Sequence, residues 1–153
     1  MNGSERHPRS TAKISDHPIH PMLVPFPIVC FIMTLILDIL YVRGDTGVAG
    51  ATNWLLGVGL VMGALAAVAG LTDFLGDDRV RGLGDALKHM LANVTAVVLE
   101  VVNFALRLKN PDFIASTGVY ISVVVVLVLL YSGWKGGNLV YRHGVGVHDT
   151  SNL

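Results

Sequence analysis

Ala86 to Leu108 reads ALKHMLANVTAVVLEVVNFALRL. It is apolar enough to cross a bilayer, yet it carries His89, Asn93, Glu100, Asn103 and Arg107. At 100° per residue these five sit at about 0, 40, 20, −40 and 0° around a helix axis. One narrow polar line therefore runs the length of an otherwise greasy helix. Polar groups in hydrocarbon are costly and normally face a protein interior or a cavity. A helix of this kind needs other membrane helices beside it.

Three further apolar runs supply them. The chain has 153 residues, enough for one domain, with 52% hydrophobic and 14% charged residues. A soluble domain carries about a quarter charged residues, and its helices are amphipathic rather than runs like Ile121–Tyr131, ISVVVVLVLLY. The expected fold is all-α, a four-transmembrane-helix bundle with up-down-up-down topology, its spans near 22–42, 53–75, 86–108 and 117–134. Each is close to the ~20 residues that a bilayer requires. The partner implied at once is the lipid bilayer.

The rest of the chain fits around these spans. Residues 1–16 are polar and rich in turn formers, and are expected to form a mobile tail; 17–147 would be the membrane domain and 148–153 a second tail. Nothing in the first residues reads as a cleavable signal. Each of His17 and His20 precedes a proline, which predicts extended or turn backbone for both. Pro25 and Pro27 fall at the start of the first span, where missing amide donors cost least. The second span has a small-residue line, Gly59, Gly63 and Ala67 with Gly70 beyond, of the kind that lets helices approach closely in lipid. Asp85 is placed to cap the third helix. After Trp134 the glycine-rich segment GGNLVYRHGVGV (136–147) is read as a tail too short to span. Trp54, Tyr41, Tyr131 and Trp134 mark span ends as interface anchors.

Lys and Arg divide unevenly between the two sides, eight with the termini and the second link, three on the other. The richer side belongs inside. That predicts a bacterial cytoplasmic (inner) membrane protein with both termini cytoplasmic. All six histidines then lie on the cytoplasmic side: His7, His17, His20, His89, His143 and His148. Helices one and three of such a bundle are diagonal neighbours, so His20 and His89 can meet across its axis, with Asp73 at the same level.

Several classes of function are excluded. Net charge is zero, so no basic field argues for nucleic acid. The single cysteine, Cys30, has no partner for a disulfide, and no CxxC or CxxCH is present. The glycines of GVGLVMG (57–63) lie inside a span rather than in a strand-to-helix turn, so they form no dinucleotide fingerprint. No nucleophile–base pair is evident. No catalytic residue is assigned, and the chain reads as a carrier or accessory subunit rather than a stand-alone enzyme.

The segments HPIHPMLVPFPI (17–28), GLTD (70–73), His89-x3-Asn93 and GGNLVYRHGVGV (136–147) together resemble the DUF2231 family of small bacterial four-span membrane proteins. The resemblance covers about Asp16 to Val147. It implies the four-helix fold and, through family members fused to Rieske-type redox domains, an electron-transfer setting. Its motif carries over to His17, His20, Pro21, Pro27, Asp73, His89 and Asn93.

Three chemistries are open at this histidine-bearing end. The first is haem b, with His20 and His89 as axial ligands to iron, Asn93 or Asp73 orienting an imidazole, His17 nearby, and Arg79, Arg81 or Lys88 meeting the propionates. The protein would then be an electron carrier or the membrane subunit of a redox system with a redox protein partner. The second is a metal or proton site using His17, His20, Asp73, His89 and His143, with Glu100, Asn103 and Asp38 continuing a polar path; transport through four spans would need a homo-oligomer. The third is an accessory subunit without cofactor, in which HPxHP is simply a rigid entry to the first helix. Glu100, Asp38 and Arg107 are read as internal glue of the bundle.

Overall fold

The computed structural model describes residues 7–147; the first six residues of the first expected tail and the whole of the second, 148–153 with His148, lie outside them. A two-residue hairpin, β1 (Lys13–Ile14) with β2 (His17–Pro18), leads into α1 (Ile19–Leu23), α2 (Pro25–Val42), a 3-10 turn, α3 (Ala49–Gly76), the short α4 (Asp78–Arg81), α5 (Gly84–Lys109), a π turn (Ile114–Gly118) and α6 (Val119–Tyr141). Four helical segments, with α1 and α2 counted together, are long and apolar enough to cross a membrane. The architecture is the expected all-α four-helix bundle.

The helices pack in a ring. α2 lies mainly against α3, and α5 against α6, with lesser contacts between α3 and α5 and between α2 and α6. α2 and α5 are therefore diagonal. Each helix contributes one residue to the central cluster: Phe31, Leu56, Ala96 and Val125. Larger apolar side chains such as Val61, Leu65, Val68, Leu127 and Leu130 point outward, as a lipid-facing surface requires. Gly59 is where α3 meets α2 most closely, since a Cβ there would lie 2.7 Å from Phe31 Cε1. The small-residue line departs from the expected one. It runs through Gly59, Gly63, Ala66 and Ala69, all buried, while Ala67 is exposed.

α3 has 28 residues, a length of about 42 Å against a hydrocarbon core of about 30 Å. Its overhang receives the N-terminal segment. Residues 9–12, read from sequence as part of a tail, lie along the end of α3 as a strap. The Asp73 carboxylate accepts from the Thr11 and Ala12 amides at 2.7 Å each and from Ser10 Oγ at 2.9 Å. Thr11 Oγ1 donates to the Thr72 carbonyl at 2.9 Å. The Arg9 amide donates to Asp77 Oδ2 at 2.9 Å, and the Gly146 amide to the Pro8 carbonyl at 3.0 Å. The hairpin that follows turns on Ser15 and Asp16, both with positive φ, as two-residue hairpin loops demand.

Three local expectations are corrected. His20 is helical, in α1, because Pro21 falls in the first turn, where its missing amide and fixed φ suit a helix. His17 is extended, as expected. α6 continues to Tyr141 instead of stopping at Trp134. Glycine costs a helix about 1 kcal/mol per residue, but here Lys135 and Asn138 bind Asp85 at 2.9 and 3.2 Å. Asp85 accordingly does not cap α5, whose N-cap is Leu83 without a side-chain bond. Its carboxylate joins α5 to α6.

Candidate functional site

His20 projects from α1 and His89 from the first turns of α5, on diagonal elements at the end of the bundle where the described chain begins and ends. Their ring centroids are 5.9 Å apart, with the ring planes at 88°. His20 Nδ1 bonds the Ala66 carbonyl of α3 at 2.8 Å, and His89 Nδ1 bonds the Ser132 carbonyl of α6 at 2.9 Å. A carbonyl oxygen can only accept, so both Nδ1 atoms carry the proton. With Nδ1 so occupied, Nε2 is the nitrogen of each ring left to present a lone pair. At His89 that nitrogen accepts from Asn93 Nδ2 at 3.1 Å, one turn along the same helix face.

Each ring sits on a glycine. A Cβ at Gly70 would lie 2.9 Å from His20 Cε1 and Nδ1, and a Cβ at Gly136 would lie 3.0 Å from His89 Cε1. The neighbours that hold these rings, Ala66, Gly70, Ser132 and Gly136, were not anticipated from sequence. Ala66 acts through its backbone and the glycines through the absence of a side chain, which leaves no polar signature to read, while Ser132 meets His89 Nδ1 with both its carbonyl and its Oγ, the latter at 3.0 Å. Ser132 could have been found as a lone hydroxyl near the end of an apolar run.

The other expected site residues lie elsewhere. Asp73 is spent on the strap. His17 is exposed on the hairpin, with Nδ1 on the Ser15 carbonyl at 2.8 Å. His143 Nε2 stands 3.5 Å from Asp85 Oδ2. Arg79 pairs with Asp77, and Arg81 with Asp78. Among the described residues no three of His, Cys, Asp and Glu converge as a metal-binding group. The structure thus unites His20, His89 and Asn93, and separates them from Asp73, His17 and His143.

Near the opposite end lies a second polar cluster, wholly buried. Arg107 grips Asp38 with Nη1 on Oδ1 at 2.7 Å and Nη2 on Oδ2 at 2.5 Å. Thr52 of α3 and Ser122 of α6 donate to the same carboxylate at 2.8 and 2.7 Å. Arg107 Nε donates to Asn103 Oδ1 at 2.7 Å, and Asn103 Nδ2 to Glu100 Oε2 at 2.8 Å. All four spanning helices meet in this cluster. Asp38 and Arg107, read from sequence as internal glue, pair with each other here, and Thr52 and Ser122 are the cluster's unforeseen members.

The imidazole pair can be tested against the haem that the family resemblance implies. Haem brings four nitrogens of its own and asks the protein for one or two axial donors. Two rings sharing one metal ion at about 2 Å from each nitrogen have centroids about 6 Å apart. The pair matches that separation, and its Nδ1–H···O=C bonds are the second contacts that orient ligating imidazoles. A bare zinc ion would want four protein ligands; two neutral nitrogens fall short of that and suffice for haem iron. Two imidazoles are the number of donors that haem iron takes, and His89 could serve as one only by giving up the bond from Asn93 to its Nε2. Of the basic residues near this end, Arg79 and Arg81 already have acidic partners, and Lys88 is exposed beside His89.

No curated protein and no solved structure matches the chain. The family model described as predicted membrane protein (DUF2231) matches residues 16–149, which takes in β2, all four spans and both paired histidines. By that match over most of its length, and by its four apolar helices, this chain belongs to the DUF2231 family of membrane proteins.

Proposed function

We propose that this protein is a membrane-embedded electron carrier, or the membrane subunit of a redox system, that holds b-type haem iron between His20 and His89. The observation that carries the reading is the 5.9 Å, perpendicular apposition of two imidazoles, each locked through Nδ1 onto a backbone carbonyl of a different helix. The chain's own contribution is orientation. The Ala66 and Ser132 carbonyls orient both rings through Nδ1, Gly70 and Gly136 let the rings lie close against α3 and α6, and the bundle half-buries the pair. Bound there, haem would supply one-electron chemistry. The uneven Lys and Arg count supports a cytoplasmic position for this end in a bacterial inner membrane, where a soluble redox partner would reach it.

Purified protein supplied with haem should give b-type bands in a reduced-minus-oxidised spectrum and a positive pyridine haemochrome assay. His20→Ala and His89→Ala should each lose them. Wild-type protein without such bands would sink the reading.

A second reading has its own observation in favour. Asn93 already occupies His89 Nε2, and the two Nδ1 bonds tie α1 to α3 and α5 to α6 without any ligand. In that case the pair is a cross-brace in an accessory subunit. A His20→Ala, His89→Ala double variant that keeps both fold and cellular function would favour it.

A further inference from the structure

The hydrogen bonds of the buried polar cluster can be counted one by one. Arg107 has five N–H donors. Nε goes to Asn103, Nη1 to Asp38 Oδ1 and Thr52 Oγ1, and Nη2 to Asp38 Oδ2 and Ser122 Oγ. All five are used. Asp38 receives two donors on each oxygen, one from Arg107 and one from a hydroxyl. The ion pair is closed on itself, electrically neutral and sterically complete.

Glu100 stands just outside it. Its side chain is 0% exposed. Oε2 takes a single bond, from Asn103 Nδ2. Oε1 is buried without a hydrogen-bond partner among the described residues. With Asp38 and Arg107 cancelling, an ionised Glu100 would leave one uncompensated negative charge among apolar helices. Such a charge is far more costly than a neutral acid. No cation of the cluster has a donor left to offer it.

The geometry points to Glu100 as a proton-binding site in the middle of the membrane domain, with Oε1 as the atom that takes the proton. The charged groups around it are Asp38 on α2 and Arg107 on its own helix; α3 and α6 present only the Thr52 and Ser122 hydroxyls. Taking up one proton turns the carboxylate into a neutral acid and brings the whole cluster to zero charge. Because the Asp38–Arg107 pair has no free donor or acceptor, Glu100 is the one position there at which charge can change while the helix contacts stay intact. This assignment is independent of what binds at His20 and His89.

Infrared spectroscopy on the full chain in lipid nanodiscs tests it. At neutral pH the exposed carboxyl groups are ionised, so a carboxylic-acid carbonyl band that shifts in heavy water must come from a buried acid. Wild type should show that band, and Glu100→Gln should lose it completely while keeping wild-type thermal stability, since the amide matches a protonated acid in shape. If Glu100→Gln fails to fold, Glu100→Asp should retain the band at a displaced frequency. The assignment falls if wild type lacks the band at neutral pH. It falls equally if the band survives in Glu100→Gln, or is unmoved in Glu100→Asp.

Discussion

Arg107 and Asp38 face each other in the bundle interior as a two-pronged pair, at 2.7 and 2.5 Å, with both side chains fully buried. Residues 69 positions apart in sequence are thereby joined, and with Thr52 and Ser122 they bind four helices at one level. Removing one partner strands the other's charge away from water. Arg107→Ala or Asp38→Ala should therefore each cost about 3–5 kcal/mol. Replacing both by apolar residues of similar volume, Arg107→Met with Asp38→Leu, should cost less than either single change. Reversible unfolding in detergent, arranged as a double-mutant cycle, measures the difference.

Gly70 and Gly136 make a graded pair of tests for the imidazoles. A methyl group at Gly70 would overlap the His20 ring at two atoms, while at Gly136 the overlap with His89 is slightly looser. Gly70→Ala should destabilise by about 1–3 kcal/mol, and Gly136→Ala by less. The Gly70→Ala penalty should shrink when His20 is also replaced by Ala, because the obstruction is then gone. Thermal melts of the three variants decide it.

Asn93 competes for the nitrogen that a metal would use. Asn93→Ala should lose about 1 kcal/mol of stability in the ligand-free protein, the net worth of an ordinary hydrogen bond. Haem titrated into the same variant should bind at least as tightly as to wild type, whereas His89→Ala should not bind it. A fall in affinity with Asn93→Ala would give the amide a supporting rather than a competing part.

The strap should respond to acid. Arg79's guanidinium, bonded to Asp77, holds that carboxyl well below the usual aspartate range, helped by the Arg9 and Arg79 amides. A depressed carboxyl stabilises fully above its unfolded value, about 3.9, and that contribution drains away as pH falls towards its folded value. Protection of the Arg9 amide, its exchange divided into that of an unstructured chain at the same pH, should be flat above about pH 4 and fall below it. Asp77→Asn should exchange faster at neutral pH and lose the acid dependence. Since this carboxyl is near the surface, added salt should weaken the effect.

Much of this was legible in the residues themselves. Four apolar runs with short links leave little choice but an antiparallel bundle, and that topology alone brings His20 and His89 together across the axis. The Glu100, Asn103 and Arg107 line could be read as inward-facing because hydrocarbon tolerates no alternative. What stayed hidden was held by groups common to every residue. Asp73 looked like a site carboxylate, yet its partners are mainly the amides of Thr11 and Ala12, which no side-chain pattern announces. The length of α6 was hidden for the opposite reason. Gly133, Gly136 and Gly137 read as an end because intrinsic propensity argues for one, and the bonds from Asp85 to Lys135 and Asn138 outweigh it.

The bond from the Gly146 amide to the Pro8 carbonyl means that the two extremities of the described chain touch. An even number of crossings returns the chain to the side where it began, and the strap then stitches the first of the described residues to the last described turn. Ends so close can be spliced by a short linker and the ring reopened elsewhere. Reopening it at the Lys109–Asp112 bend would yield a circular permutant whose ends emerge on the opposite face of the bilayer from the paired imidazoles. All four helices and their neighbours would be unchanged, and proteins fused to the new ends would be held a membrane's thickness from His20 and His89.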